Sequence, residues 1–245
     1  MWPLMLRLQP AQAKIGDGKP RSYGKWSLPV QSFALLLGLT ICPMAGGAAP
    51  VDAASRPIKV VALGDSLTAG LGLAITEAFP ARLAKALAAK GYSVEITNAG
   101  ASGDTASDGL ARVDWSVPEG TNAVILELGA NDALRAIDPK VTRRALGAIL
   151  ARLSHRRIPV LLCGMRAPRN LGPDYVRAFD SIFPDLAAKD GLLFYPFFLQ
   201  GVFGNPKLNQ PDGLHPNAAG VDVIVSHILP SVEQLLARLR SARHS

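Results

Sequence analysis

Acyl transfer through a covalent intermediate needs a nucleophile, a base, a group that orients the base, and N–H donors for developing negative charge. This chain has a candidate for each. Ser66 sits in Gly-Asp-Ser-Leu (64–67), directly after an apolar run, where a short turn into a helix would present its hydroxyl and its own N–H outward. Of the histidines at 155, 215, 227 and 244, only His215 lies in a Gly/Pro-punctuated loop with a carboxylate, Asp212, three residues ahead of it. Asp212 can accept from one ring nitrogen and leave the other for Ser66. Gly103, lacking a side chain, can bring a backbone N–H close to a ligand. Asn131, directly after another apolar run, can aim an amide N–H at an oxyanion. Taken singly, each has a plainer reading: a turn serine, a surface hydrogen bond or partial metal site, a turn glycine, a helix-capping asparagine. All four loops having only those plain roles is the less economical account.

The elements that must position these residues alternate. Short apolar runs at 58–63, 93–97, 123–128, 159–163 and 192–195 read as strands. Segments 76–90, 104–113, 139–154, 173–189 and 217–239 carry helical spacing, with Gly91 as a stop signal after the first. Strands alternating with helices predict a parallel sheet covered on both faces. Ligands in such sheets bind beyond the carboxyl ends of the strands, so the four polar loops are expected on one side.

The 245 residues are 49% hydrophobic and 18% charged, enough to bury a core and too apolar for disorder. Two cysteines, Cys42 and Cys163, exclude a disulfide scaffold and a four-cysteine zinc site. The net charge of +7 is partly an N-terminal matter. Residues 1–27 are basic, 33–42 (FALLLGLTIC) are apolar, and small residues follow, which is the order of a secretory signal peptide. The apolar run is about half the ~20 residues a bilayer crossing needs, and bulky Ile41 before Cys42 argues against a lipid-bearing cysteine. Residues 1–54 are therefore expected to be a leader and linker, the mature protein periplasmic or secreted with no integral anchor. Removing them takes five of 26 basic and two of 19 acidic residues, leaving 21 against 17, or +4. Arg143, Arg144, Arg152, Arg156 and Arg157 fall on an amphipathic helix without interleaved aromatics, so no nucleic-acid partner is expected.

The ordered set Gly-Asp-Ser-Leu (64–67), Ser-Gly-Asp-Thr (102–105), Gly-x-Asn-Asp (129–132) and Asp-x-x-His (212–215) resembles the SGNH, or GDSL-type, serine hydrolases. More narrowly it is similar to their bacterial arylesterase, lysophospholipase and thioesterase I branch, with Asn-Leu-Gly-Pro-Asp-Tyr (170–175) and Tyr-Pro-Phe-Phe (195–198) adding to the likeness. The resemblance implies a flavodoxin-like α/β/α sandwich of three layers around about five parallel strands, occupying 55–245. It implies Ser66 as nucleophile, His215 as base and then acid, and Asp212 as its orienter. The Ser66 and Gly103 amides and the Asn131 side chain would form the oxyanion hole. No cofactor or metal is implied, and neither a phosphate loop nor the Gly-x-Ser-x-Gly elbow occurs, since Thr68 fills the last position. The expected substrates are small-molecule or lipid esters: aryl esters, short to medium acyl esters, lysophospholipids and acyl thioesters. Leu71, Leu73, Ile75 and the 166–176 segment are the expected apolar walls. A carbohydrate deacetylase or O-acetyltransferase of the cell envelope, and a non-catalytic acyl-binding relative, are the alternatives.

Overall fold

The computed structural model describes residues 56–244, and the expected leader over 1–54 lies outside them. Ile58–Gly64 forms β1, buried at every position but Lys59, as a strand covered on both faces requires. Four more strands follow: β2 (Val94–Gly100), β3 (Ala123–Glu127), β4 (Val160–Cys163) and β5 (Leu193–Tyr195). All pair in parallel in the order β2-β1-β3-β4-β5. The winding reverses between β1 and β3, and that reversal opens a crevice at their carboxyl ends.

Right-handed crossovers then dictate the layers. Helices α2 (Phe79–Ala89) and α8 (Ala218–His244) pack together on one face; α3 (Ala106–Ser116), α5 (Pro139–His155) and α7 (Ile182–Asp190) pack on the other. Phe79, Leu83 and Leu87 meet Val221, Ile224, Ile228 and Val232 under the first layer, and Leu146, Ile149, Leu153 and Phe183 fill the second. Burying each such side chain fully is worth about 1.5–3 kcal/mol. Helix α8 is long and apolar enough over Ala218–Ser241 to cross a bilayer, but 44% of that window is buried and its apolar side faces α2, β4 and β5. It is a core helix by its packing.

Several elements depart from the sequence reading for local reasons. The expected helix at 76–90 is a 3-10 turn at Ile75–Glu77 followed by α2, because Ala78 is extended and Pro80 suits only the first helical turn. The one expected at 104–113 begins at Ala106, since Thr105 caps it in a reciprocal box with Asp108. The Thr105 N–H and hydroxyl hold the Asp108 carboxyl below its ordinary pKa. The segment 173–189 divides at Ser181 into α6 (Pro173–Asp180) and α7. Two one-turn helices, α1 (Ser66–Ala69) and α4 (Ala130–Leu134), stand where loops were expected.

Strand β2 also runs on past the expected end at 97 through Asn98-Ala-Gly100. Gly100 allows this, because a Cβ there would collide with the Ala69 backbone and the Asp65 carbonyl. The carboxyl ends of β1 and β2 are tied together by one buried guanidinium. Arg112, on α3, donates to the carbonyls of Gly64 (2.7 Å) and Ala99 (2.8 Å), to the Ser116 hydroxyl (3.0 Å) and to the Asp104 carboxylate. Arg112→Ala would leave the Asp104 carboxylate without its cation and each strand-end carbonyl one donor short, for a loss of about 3–5 kcal/mol. The measurement is the denaturant midpoint, which is expected to fall with m unchanged.

Candidate active site

The turn after β1 begins at Asp65, which is wholly buried. Its side chain accepts from the Leu67 N–H at 3.0 Å and so caps α1, leaving Ser66 as the first helical residue. Gly64 just before has no room for a side chain, because a Cβ would meet Thr68 and Glu127. The turn is thus fixed by packing beneath it and by a cap within it. Ser66 faces the crevice.

The Ser66 hydroxyl lies 2.9 Å from His215 Nε2, although 149 residues separate them in the chain. His215 Nδ1 lies 2.6 Å from Asp212 Oδ2. The other oxygen of Asp212 accepts the backbone N–H groups of Leu214 (2.9 Å) and His215 (3.0 Å). These bonds from the His215 backbone, the His215 ring and the Leu214 N–H lower the Asp212 pKa to about 2. Asp212 therefore stays a carboxylate wherever a histidine can act as base.

The loop that presents His215 is held by residues no motif announced. Gln210 accepts nothing from the ring but donates its side-chain N–H to the Pro216 carbonyl (3.0 Å) and to the Leu71 carbonyl (2.7 Å), while its backbone N–H donates to His215 O (2.7 Å). It links the serine turn to the histidine loop. Asn217 and Asn209 close the same loop through the carbonyls of Lys207 and Val202.

The second and third polar loops meet the first at the sheet edge. Gly103 has φ +89°, a left-handed conformation that favours glycine. Its carbonyl accepts from Arg135 at 2.8 Å, and its N–H, like that of Ser66, has no partner among the described residues. Asn131, in α4, donates its side-chain amide to the Asp104 carbonyl (3.0 Å) and to Asp65 Oδ2 (3.2 Å). Its neighbour Asp132 is buried and accepts from Ala106 N–H (2.9 Å) and the Thr142 hydroxyl (2.8 Å), which locks this loop to α3 and α5. The structure thus gathers Ser66, Gly103, Asn131, Asp212 and His215 at the carboxyl ends of β1 and β3. Asp65, Arg112, Asp132 and Gln210 are the supports that sequence reading missed. Asp65 and Asp132 lay in the quoted motifs, so their polarity beside apolar strands was a signal; Arg112 and Gln210 offered none.

A cavity of about 240 Å³ opens beside Ser66 and His215. Its walls are Leu134, Met165, Pro168, Phe197, Leu199, Phe203 and Leu214, with Arg166 stacked over the Phe197 ring at 4.8 Å. The expected walls are only partly right. Arg166 and Pro168 belong to it, but Leu71 and Leu73 line a separate, much smaller cleft that also touches the serine, and Ile75 is 88% exposed. Phe197 and Phe203 arrive from a segment that no local pattern connects to Ser66, and Leu214 comes with the loop that carries His215.

Residues 62–223 match the model of the GDSL-like Lipase/Acylhydrolase family, and the chain belongs to that family. It is 37% identical over 186 residues to Esterase TesA of Pseudomonas aeruginosa, covering 76% of this chain and 92% of that one. It is 33% identical over 213 residues to Thioesterase 1/protease 1/lysophospholipase L1 of Escherichia coli, covering 86% and 94%. Among solved structures, AlinE4, an SGNH-hydrolase family esterase, superposes with a TM-score of 0.63 at 44% identity over 74% of this chain and 97% of its own. The five-stranded α/β fold and the esterase relatives agree: this is a serine ester hydrolase acting on small-molecule esters.

Gln210→Ala removes the tie between the two halves of the site without touching the core. The expected outcome is a kcat about tenfold lower, since a small misplacement of reacting groups is costly. Hydrogen exchange over 205–217 is expected to quicken in the same variant while the melting temperature stays within a few degrees.

Proposed function

We propose that Ser66 is the nucleophile of this esterase, His215 its base and Asp212 the orienter, with the Ser66 and Gly103 amides and the Asn131 side chain as oxyanion donors. The observation that carries the reading is the unbroken chain from the Ser66 hydroxyl to the His215 ring at 2.9 Å and on to Asp212 at 2.6 Å. His215 takes the serine proton as the hydroxyl attacks the ester carbonyl. The tetrahedral oxyanion lies against the three donors, and His215 then protonates the leaving alcohol or thiol. Water repeats the sequence on the acyl-enzyme and restores Ser66. Of the two hydrogen bonds that hold the Asn131 amide at rest, the longer one, to Asp65, is the one an oxyanion would compete for.

The apolar cavity supports an acyl or aryl group rather than a sugar. At about 240 Å³ it is smaller than the ~300–1,000 Å³ of sites for drug-sized ligands, which favours short to medium acyl chains or a single ring. The names of the relatives extend this range to thioesters and lysophospholipids. The basic, apolar and small-residue order of residues 1–54 supports export to the periplasm or beyond, with residues 55–245 as the working domain.

A fluorophosphonate probe reacts only with an activated serine, and wild-type protein is expected to label at Ser66. Ser66→Ala is expected to abolish both labelling and p-nitrophenyl ester turnover with an unchanged melting curve; near-normal turnover would reject the assignment. Asn131→Ala is expected to lower kcat by about 10²–10³ with KM nearly constant.

The pH profile follows from Asp212. A carboxylate with a depressed pKa contributes its interactions fully above the unfolded value of ~3.9 and loses them as pH falls through its folded value of about 2. Any loss of kcat between about pH 5 and 7 is therefore expected to survive in Ser66-active Asp212→Asn protein, whose kcat is expected to be lower by orders of magnitude throughout.

A further inference from the structure

Behind the serine turn lie two carboxyl groups that the proposed reaction does not consume, Asp65 and Glu127, both wholly buried. Glu127 ends β3 in register with Gly64 of β1 on one side and Cys163 of β4 on the other, and Cys163 is in register with Tyr195 of β5. Among the described residues no cation donates to the Glu127 carboxyl, although Arg112 reaches the neighbouring Gly64 carbonyl at 2.7 Å. Glu127 Oε2 accepts from the Thr68 hydroxyl at 2.7 Å and weakly from the Asp65 N–H at 3.4 Å. Its other oxygen, Oε1, is buried without a partner among the described residues. Asp65 is better served, with the Leu67 N–H on one oxygen and the Asn131 amide on the other.

Two carboxyl groups buried in one turn oppose each other's ionisation, so one proton stays. The donors decide where. Asp65 has a good donor on each oxygen and keeps the charge, whereas the donors to Glu127, the Thr68 hydroxyl with weaker help from the Asp65 and Thr68 N–H groups, leave Oε1 unpaired to carry the proton.

We propose that Glu127 is a positioning residue that works as a neutral acid. It holds Thr68 and Asp65, and through them the serine turn and the Asn131 amide, without placing a second negative charge behind the oxyanion site. The inference rests on the assignment of Ser66 and Asn131 above. Desolvation raises the Glu127 pKa well above the usual carboxylate range, with the charge of Asp65 adding to it. Asp65 is itself raised by burial to about 6 and so is mostly ionised at neutral pH. The groups that face Glu127 are Asp65 and Thr68 from the serine turn and Cys163 from β4, whose buried thiol is neutral. None of these is a cation, and Arg112, on α3, meets the Gly64 carbonyl beside Glu127 without donating to the Glu127 carboxyl.

The role differs from that of a structural carboxylate in the sign of its pH dependence. A carboxyl with a raised folded pKa contributes stability fully below its unfolded value of ~4.3, and this is lost as pH rises toward the folded value. Glu127→Gln keeps the shape, the acceptor for Thr68 and the neutrality, and it cannot ionise. It is therefore expected to keep kcat within about threefold of wild type near pH 7, and to gain in melting temperature over wild type as pH rises from 5 to 9. Glu127→Ala, which removes the acceptor, is expected to lose at least tenfold in kcat with KM little changed. A measurement on wild type alone accompanies these: carbon-13 NMR of protein labelled at glutamate carboxyls is expected to show one resonance still at the protonated position near pH 7.5.

The proposal is overturned if every glutamate carboxyl titrates below about pH 6, or if folded Glu127→Gln loses more than a hundredfold in kcat, or if its stability advantage shrinks with rising pH. Fluorophosphonate labelling of wild type separates the two readings. Failure to label Ser66 removes the nucleophile assignment, whereas normal labelling with no protonated glutamate removes only the role of Glu127.

Discussion

The Gly64 carbonyl, two residues before Ser66, accepts the Ala101 N–H at 3.0 Å, and its second lone pair, buried beneath α3, takes a further donor. Arg112 provides it from across the layer, and the same guanidinium reaches the Ala99 carbonyl and the Asp104 carboxylate. One side chain therefore satisfies the ends of β1 and β2 and fixes the loop that carries Gly103. The positions of the Ser66 and Gly103 N–H groups relative to each other depend on that clamp. Without it the Asp104 carboxylate would lose its cation and both strand-end carbonyls a donor, and the loop that carries Gly103 would be held to the rest of the site by Asn131 and Arg135.

The floor of the site is polar, and each polar group there is controlled in its own way. Asp132 bridges α3 and α5 through two neutral donors. Asp65 is charged and capped, and Glu127 is proposed to be neutral. This arrangement keeps negative charge scarce where the reaction develops more of it. Above the floor the walls are apolar, so binding of an acyl or aryl group and orientation of its carbonyl are carried by different layers of the same crevice. Rigidity comes from below and selectivity from the side.

Much of this was legible from residue types in order. Apolar runs closed by glycine fixed the strands to within one or two residues at β1, β3 and β4, because a doubly covered strand leaves little choice of side chain. Helix boundaries were less legible. Thr105 and Ala78 end or begin elements through caps and dihedrals that periodicity does not register, and α1 and α4 are too short to show a period at all. Ser181 divides α6 from α7 without a proline or glycine to mark it, while Tyr175, Phe179 and Phe183 continue an aromatic row across the break. Gln210 was invisible because its partners are backbone carbonyls, which carry no sequence signature, and Arg112 because two of its partners are such carbonyls and the Asp104 carboxylate lies outside its helix.

By itself, the amino-acid order determined the class of chemistry and the side of the sheet on which it sits, since nucleophile, base and donors follow separate strands and parallel strands end together. Only the folded chain decided that the Ser66 hydroxyl and the His215 ring stand 2.9 Å apart. It also decided that the cavity beside them is lined by Phe197, Phe203 and Leu214, and that Asp65 and Glu127 are buried side by side. The physical reason is that motifs are local while contact is not. Hydroxyl–imidazole distance, cavity shape and the proton on a buried carboxyl all depend on segments that meet only after the helices have closed over the sheet.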